Sequence, residues 1–124
     1  MITNNQLCKI ALLEKGWGGY ETNPIPKELL ESVQKLLDMI ENWGFKEPTC
    51  IPTGSSTVNL EWHKWVKNNE KTEEKSLEIE FDDKNTVHYL KWHESEGIEE
   101  EEIFSFSDTK RIKELIEWFN GNNI

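Results

Sequence analysis

The period at which apolar residues recur along this chain changes from 3.6 to 2, and that change restricts the folds open to it. From Pro26 to Trp43, the residues Leu29, Val33, Leu36, Ile40 and Trp43 return at alternating intervals of four and three. This is one stripe of a helix, widened by Leu30 and Leu37. Glu31, Gln34, Lys35, Asp38 and Glu41 take the other side. Gly44 follows, where a left-handed residue can end the helix without a Cβ clash. From Thr57 to His63, Val58, Leu60 and Trp62 alternate with Asn59, Glu61 and His63. Leu77, Ile79 and Phe81 alternate with Glu78 and Glu80 in the same way. Successive side chains of a strand point to opposite faces, so both segments predict one apolar and one polar face.

The flanking segments complete the order. Leu7, Ile10 and Ala11 predict a short helix over Asn4 to Lys15, followed by the glycine-rich loop Trp17-Gly18-Gly19-Tyr20. Thr49-Cys50-Ile51, bracketed by Pro48 and Pro52, reads as an edge strand, because proline cannot donate to a ladder. Trp65 to Lys75 reads as a long polar connection. Asp82-Asp83-Lys84-Asn85 reads as a tight turn into a strand from Val87 to Trp92. His93 to Glu102 reads as a charged loop, and Ile103 to Phe106 as the last strand. Ser107-Asp108 offers an N-cap to a helix over Thr109 to Asn120, with Ile112, Leu115, Ile116 and Phe119 on its apolar side. With no linker or repeat, the expected fold is one α+β domain. It is a two-layer sandwich in which an antiparallel sheet of four to five strands is covered on one face by three helices. The other sheet face, with Asn59, Glu61, His63, Glu78 and Glu80, is expected to meet solvent.

At 124 residues, with 35% hydrophobic and 10% aromatic side chains, the chain can bury a core without a metal or a disulfide. Cys8 and Cys50 read as small buried hydrophobes in a reducing cytosol. The first residues lack a basic segment and a small-residue cleavage site, and no apolar run is long enough to span a membrane, so a cytoplasmic protein is expected. The formal net charge is −10, and −9 of it falls between Asn68 and Glu102, where 13 acids face 4 lysines. Such a field repels nucleic acid and acidic membranes and attracts basic proteins. Its simplest use is solubility.

Gly16-Trp17-Gly18-Gly19-Tyr20, then Pro24-Ile25-Pro26, Leu60-Glu61-Trp62 and Leu77-Glu78-Ile79-Glu80 form a recurring layout. In it the chain resembles a family of small uncharacterised bacterial proteins over roughly Gly16 to Tyr89. The resemblance implies the same order of elements and a bacterial or phage origin, and it brings no activity with it.

Reaction motifs are sparse. His88 and His93 are five residues apart across a strand end, which is not a metal-ligand spacing. A carboxylate and histidine cluster of Glu61, His63, Glu78 and Glu80 is conceivable, but an exposed polar sheet face explains the same residues. No nucleophile elbow is present, and the Trp17–Tyr20 loop lacks the Lys-Ser/Thr ending of a phosphate loop. Arg111 is the single arginine, which disfavours direct nucleic-acid binding. No enzyme, cofactor or metal is therefore expected. The expected function is that of a small acidic binding protein which neutralises a basic, nucleic-acid-handling partner such as a toxin nuclease or a defence effector. Carboxylates would imitate phosphates in the partner's groove. The expected contact residues are Glu94, Glu96, Glu99, Glu100, Glu101 and Glu102, whose mutual repulsion asks for a positive counterpart, together with Trp65 and Trp92. The alternative is an adaptor or structural subunit of a larger bacterial assembly, working through a tryptophan-bearing surface.

Overall fold

The computed structural model describes residues 2–19, 22–94 and 96–121. Helices α1 (Asn5–Ala11) and α2 (Lys27–Asn42) precede strands β1 (Thr49–Pro52), β2 (Val58–Asn68), β3 (Lys71–Phe81), β4 (Thr86–His93) and β5 (Ile98–Ser105), and α3 (Thr109–Asn120) follows. The strands form one open antiparallel sheet in the order β1-β2-β3-β4-β5. The α+β architecture expected from the change of period is therefore the one adopted.

Each helix is specified locally. Asn4 caps α1, its side chain accepting from the backbone N–H groups of Gln6 and Leu7. In α2, Leu29, Leu30, Val33, Leu36, Leu37 and Ile40 are all buried, as their spacing requires. Its end is a Schellman motif: Phe45 N–H donates to Ile40 C=O and Gly44 N–H to Glu41 C=O, with Gly44 at φ +80°. Asp108 caps α3 by accepting from Arg111 N–H. Ile112, Leu115, Ile116 and Phe119 of α3 join the α2 stripe over Val58, Leu60, Trp62, Leu77, Ile79, Phe81, Val87 and Tyr89 of the sheet. All three helices thus contribute to a core on one sheet face, here called the inner face. Trp62 stays inside because its indole N–H reaches the Lys46 carbonyl at 3.1 Å.

Four expectations need correction. The helix expected to reach Lys15 ends at Ala11, because α1 buries only Leu7 and Ile10. On so short a helix Cys8 falls outside the buried pair and is exposed, whereas Cys50 is buried, its thiol pushed up to about 12 by burial. The supposed connection from Trp65 to Lys75 is the far half of a long hairpin, with Asn68 opposite Lys71. Its two-residue turn places Asn69 at φ 48° and Glu70 at φ 70°, the pair of positive values a type I′ turn demands. The chain turns there without glycine, so the usual sequence signal is missing. The hairpin also outruns β4, which pairs with β3 only as far as Lys75, and polar residues on both sides of the tip erase the alternation. Finally, the charged loop is mostly strand. β5 begins at Ile98 and pairs with β4 through His93↔Ile98 to Thr86↔Ser105, which brings Glu99, Glu100, Glu101 and Glu102 into the sheet.

In the glycine-rich loop, Trp17 is half-buried against the core and its indole N–H donates to the Asn23 carbonyl at 2.8 Å. Those contacts tie the loop between α1 and α2. Tyr20 lies outside the described residues.

Candidate partner-binding face

The pleat sorts the charges of the sheet onto its two faces. On the inner face Lys64, Lys75 and His93 form one row across β2, β3 and β4, with Lys91 one row away. The three lysines meet the end of α3. Lys75, only 1% exposed, donates to the Trp118 carbonyl at 2.6 Å and to that of Gly121 at 2.9 Å. A helix C-terminus presents unpaired carbonyls and the negative end of the dipole, so an ammonium there is doubly favoured. The ammonium groups of Lys75 and Lys91 also lie 4.5 and 4.7 Å from the centre of the Trp118 ring, and that of Lys64 lies 4.8 Å from Phe119. Burial, and next the neighbouring Lys64, push Lys75 below the ordinary lysine value.

The outer face carries the opposite sign. Register sets three rows across β2 to β5: His63, Ser76, Trp92, Glu99; then Glu61, Glu78, Leu90, Glu101; then Asn59, Glu80, His88, Ile103. These positions hold five glutamates and no lysine or arginine; on the projecting hairpin Glu74 lies beside Trp65 on the same face, and so does the exposed Lys67. Glu61 and Glu78 sit directly opposite, and Asn59 donates to both, at 3.0 and 3.2 Å. Burial, helped by the Glu78 carboxylate, raises the Glu61 carboxyl above its ordinary value. Histidines occupy two gaps in this field. His63 Nε2 is 3.1 Å from Glu74, and His88 lies between Glu101 at 3.4 Å and Glu80 at 3.9 Å. Three apolar groups interrupt the acids. Trp92 and Leu90 are half-buried, and Ile103 is 63% exposed. Trp65, at 62% exposed, packs edge-on against His63 with ring centroids 5.4 Å apart.

Among the described residues no group of three or more His, Cys, Asp or Glu side chains is arranged to hold a metal ion. His88 and His93 face opposite sides of the sheet, and His93 is buried between Glu73 at 3.6 Å and Glu96 at 3.4 Å. The outer face has a shallow depression, about 230 Å³, lined by Thr53, Asn59, Glu78, Glu80, His88 and Leu90. That is below the usual size of a small-molecule pocket, and a broad flat surface suits a macromolecule better. A larger cleft of about 480 Å³, lined by Asn4, Gln34, Asp38, Glu41, Phe45 and Glu47 among others, lies away from this face, beside α1 and α2.

The expected contact residues are divided by this geometry. Glu99, Glu101, Trp92 and Trp65 share the outer face. Glu100 and Glu102 point inward, where Tyr89 donates to Glu100, Lys91 lies 3.9 Å from it, and Arg111 pairs with Glu102. Glu96 belongs to His93, and Glu94 is exposed at the turn after β4. Of the six clustered acids, Glu100 and Glu102 thus meet cations within the fold, and Glu96 and Glu101 each lie beside a histidine. Glu61, Glu78 and Glu80 were legible as one polar face, but their adjacency to Glu101 and Ile103 depends on a register that crosses four strands. No helix among the described residues is long and apolar enough to cross a membrane. No protein-family model, curated protein or solved structure matches the chain.

Proposed function

We propose that this protein binds a basic protein partner on the outer face of its sheet and neutralises it, without catalysis. The observation that carries the reading is the sorting of charge: Lys64, Lys75 and Lys91 turn inward to α3, while Glu61, Glu78, Glu80, Glu99 and Glu101 turn outward together. An exposed face needs no such segregation for solubility, and mixed signs would serve solubility with less self-repulsion. Leu90, Trp92, Ile103 and Trp65 supply apolar and aromatic contact within the acidic field, the composition of a protein-binding patch. Proteins that handle nucleic acid are basic where they hold phosphate, so a toxin nuclease or a defence effector of a bacterium or phage is the partner class that fits. An adaptor role is the second reading, favoured by the exposure of Trp65 on the projecting hairpin.

The experiment is capture of partners from bacterial cells by the tagged protein, washed at rising salt, beside a variant carrying Glu78→Gln and Glu101→Gln. A basic partner released by salt and lost from the variant is expected, since contacts driven by charge weaken with ionic strength. A partner that ignores both salt and variant but is lost on Trp65→Ala would put the adaptor reading first.

A further inference from the structure

The two edges of the sheet are not equivalent. β1 is closed: it is four residues long, Pro48 and Pro52 bracket its backbone, and the Cys50 N–H donates to the Gln6 side chain at 2.8 Å. β5 is eight residues long, contains no proline, and is paired on one side only. Among the described residues, no backbone N–H or carbonyl from Ile98 to Phe104 bonds outside the sheet. An edge of this kind is a template for another strand.

We infer that the basic partner is held at β5 by strand addition, its segment becoming a sixth strand. This rests on the reading of the outer face as a basic-protein site and adds how the partner is gripped. The occupant follows from the side chains beside the edge. On the outer face an added strand lies next to Ile103, Glu101 and Glu99, in that order for an antiparallel neighbour. Every ladder in this sheet is antiparallel, and antiparallel pairing is slightly the stronger per residue. The fitting segment therefore reads apolar, any, basic, any, basic. Its apolar side chain covers Ile103, and its two cations face Glu101 and Glu99 at cross-strand distance. A second copy of this chain does not fit, because two β5 edges would bring glutamates against glutamates. Main-chain hydrogen bonds supply the grip and the alternate side chains the selectivity, as in other strand-addition complexes.

The test uses the full chain and a synthetic peptide alternating threonine with valine, lysine and lysine in that order. A control peptide of identical sequence has alternate backbone amides N-methylated, so that charge and side chains persist while one hydrogen-bonding edge is lost. The expected result is new protection from hydrogen exchange on amides of Ile98–Ser105, with about tenfold or greater loss of affinity on N-methylation, the equivalent of about 1.4 kcal/mol. Equal affinity for both peptides without added β5 protection overturns strand addition. If polylysine then shifts the resonances of His63, Leu90 and Trp92, the outer face still binds a basic chain and only the edge mode fails. If neither peptide nor polylysine binds at low salt, the reading of the face fails and strand addition falls with it. A dimer that protects β5 in sedimentation and exchange experiments without any peptide would assign the edge to a second copy and overturn the proposal.

Discussion

Glu61 lies where the outward acidic face opposes the stability of the fold. Its carboxyl is raised first by burial and then by hydrogen bonding and repulsion from Glu78, while Asn59 works in the other direction. Well below the ordinary value of 4.5, Glu61 is protonated in both the folded and the unfolded chain and contributes nothing to their balance. As pH rises, the unfolded chain ionises first, so stability falls until pH has passed the raised folded value. Glu61→Gln keeps the acceptor for Asn59 and removes the charge. The melting temperature of this variant should exceed that of the wild type at neutral pH, and the two should converge in acid, below the ordinary glutamate range. Thermal unfolding followed by circular dichroism across pH measures both arms. A variant less stable than wild type at neutral pH would mean that the Glu61 and Glu78 pair stabilises the fold.

At the scale of the element, β5 holds four consecutive glutamates in a strand although glutamate is depleted from strands. The ladder to β4 and the inward contacts override that preference. Tyr89 and Lys91 hold Glu100, and Arg111 holds Glu102 while stacking on the Phe104 ring at 4.7 Å. The run therefore divides by parity. Glu100→Gln with Glu102→Gln should destabilise the fold, by about 0.5–1 kcal/mol because the pairs are partly solvated. Glu99→Gln with Glu101→Gln should leave stability unchanged or raise it, and should make association with a basic partner slower and less dependent on salt. Chemical denaturation and stopped-flow binding of the two double variants check this. Identical behaviour of the two pairs would contradict the sorting of the strand into an engaged and an offered side.

For the whole molecule, a net charge of −10 works against compactness, with −9 of it between Asn68 and Glu102. Sodium chloride added up to physiological ionic strength should therefore raise the melting temperature. Chelator and reductant should leave it unchanged. The apolar cluster runs through all three helices and the inner sheet face, and Cys8 and Cys50 are both free. A fall in melting temperature with chelator would mean that a bound metal contributes to folding.

What the sequence by itself determined is the class of fold and the facing of α2, α3 and the core segments of β2 and β3. The stripe of α2, the alternation of Val58 to Trp62 and of Leu77 to Phe81, and the Asp108 cap of α3 are local patterns, and local geometry is enough to read them. Segments governed by distant partners were not legible. The tip of the β2–β3 hairpin has no apolar face and no glycine in its turn, and β5 is a strand only because β4 lies beside it. The polar outer face was foreseen as a set of residues on separate strands. Register decided that Glu61, Glu78, Leu90 and Glu101 are neighbours, that Glu99 stands apart from Glu100, and that Lys64, Lys75 and Lys91 face α3. A slip of one residue in any ladder would exchange the two faces, and the match of buried side chains across the core prevents it. That match belongs to the tertiary structure, and it is what gathers the carboxylates into one surface.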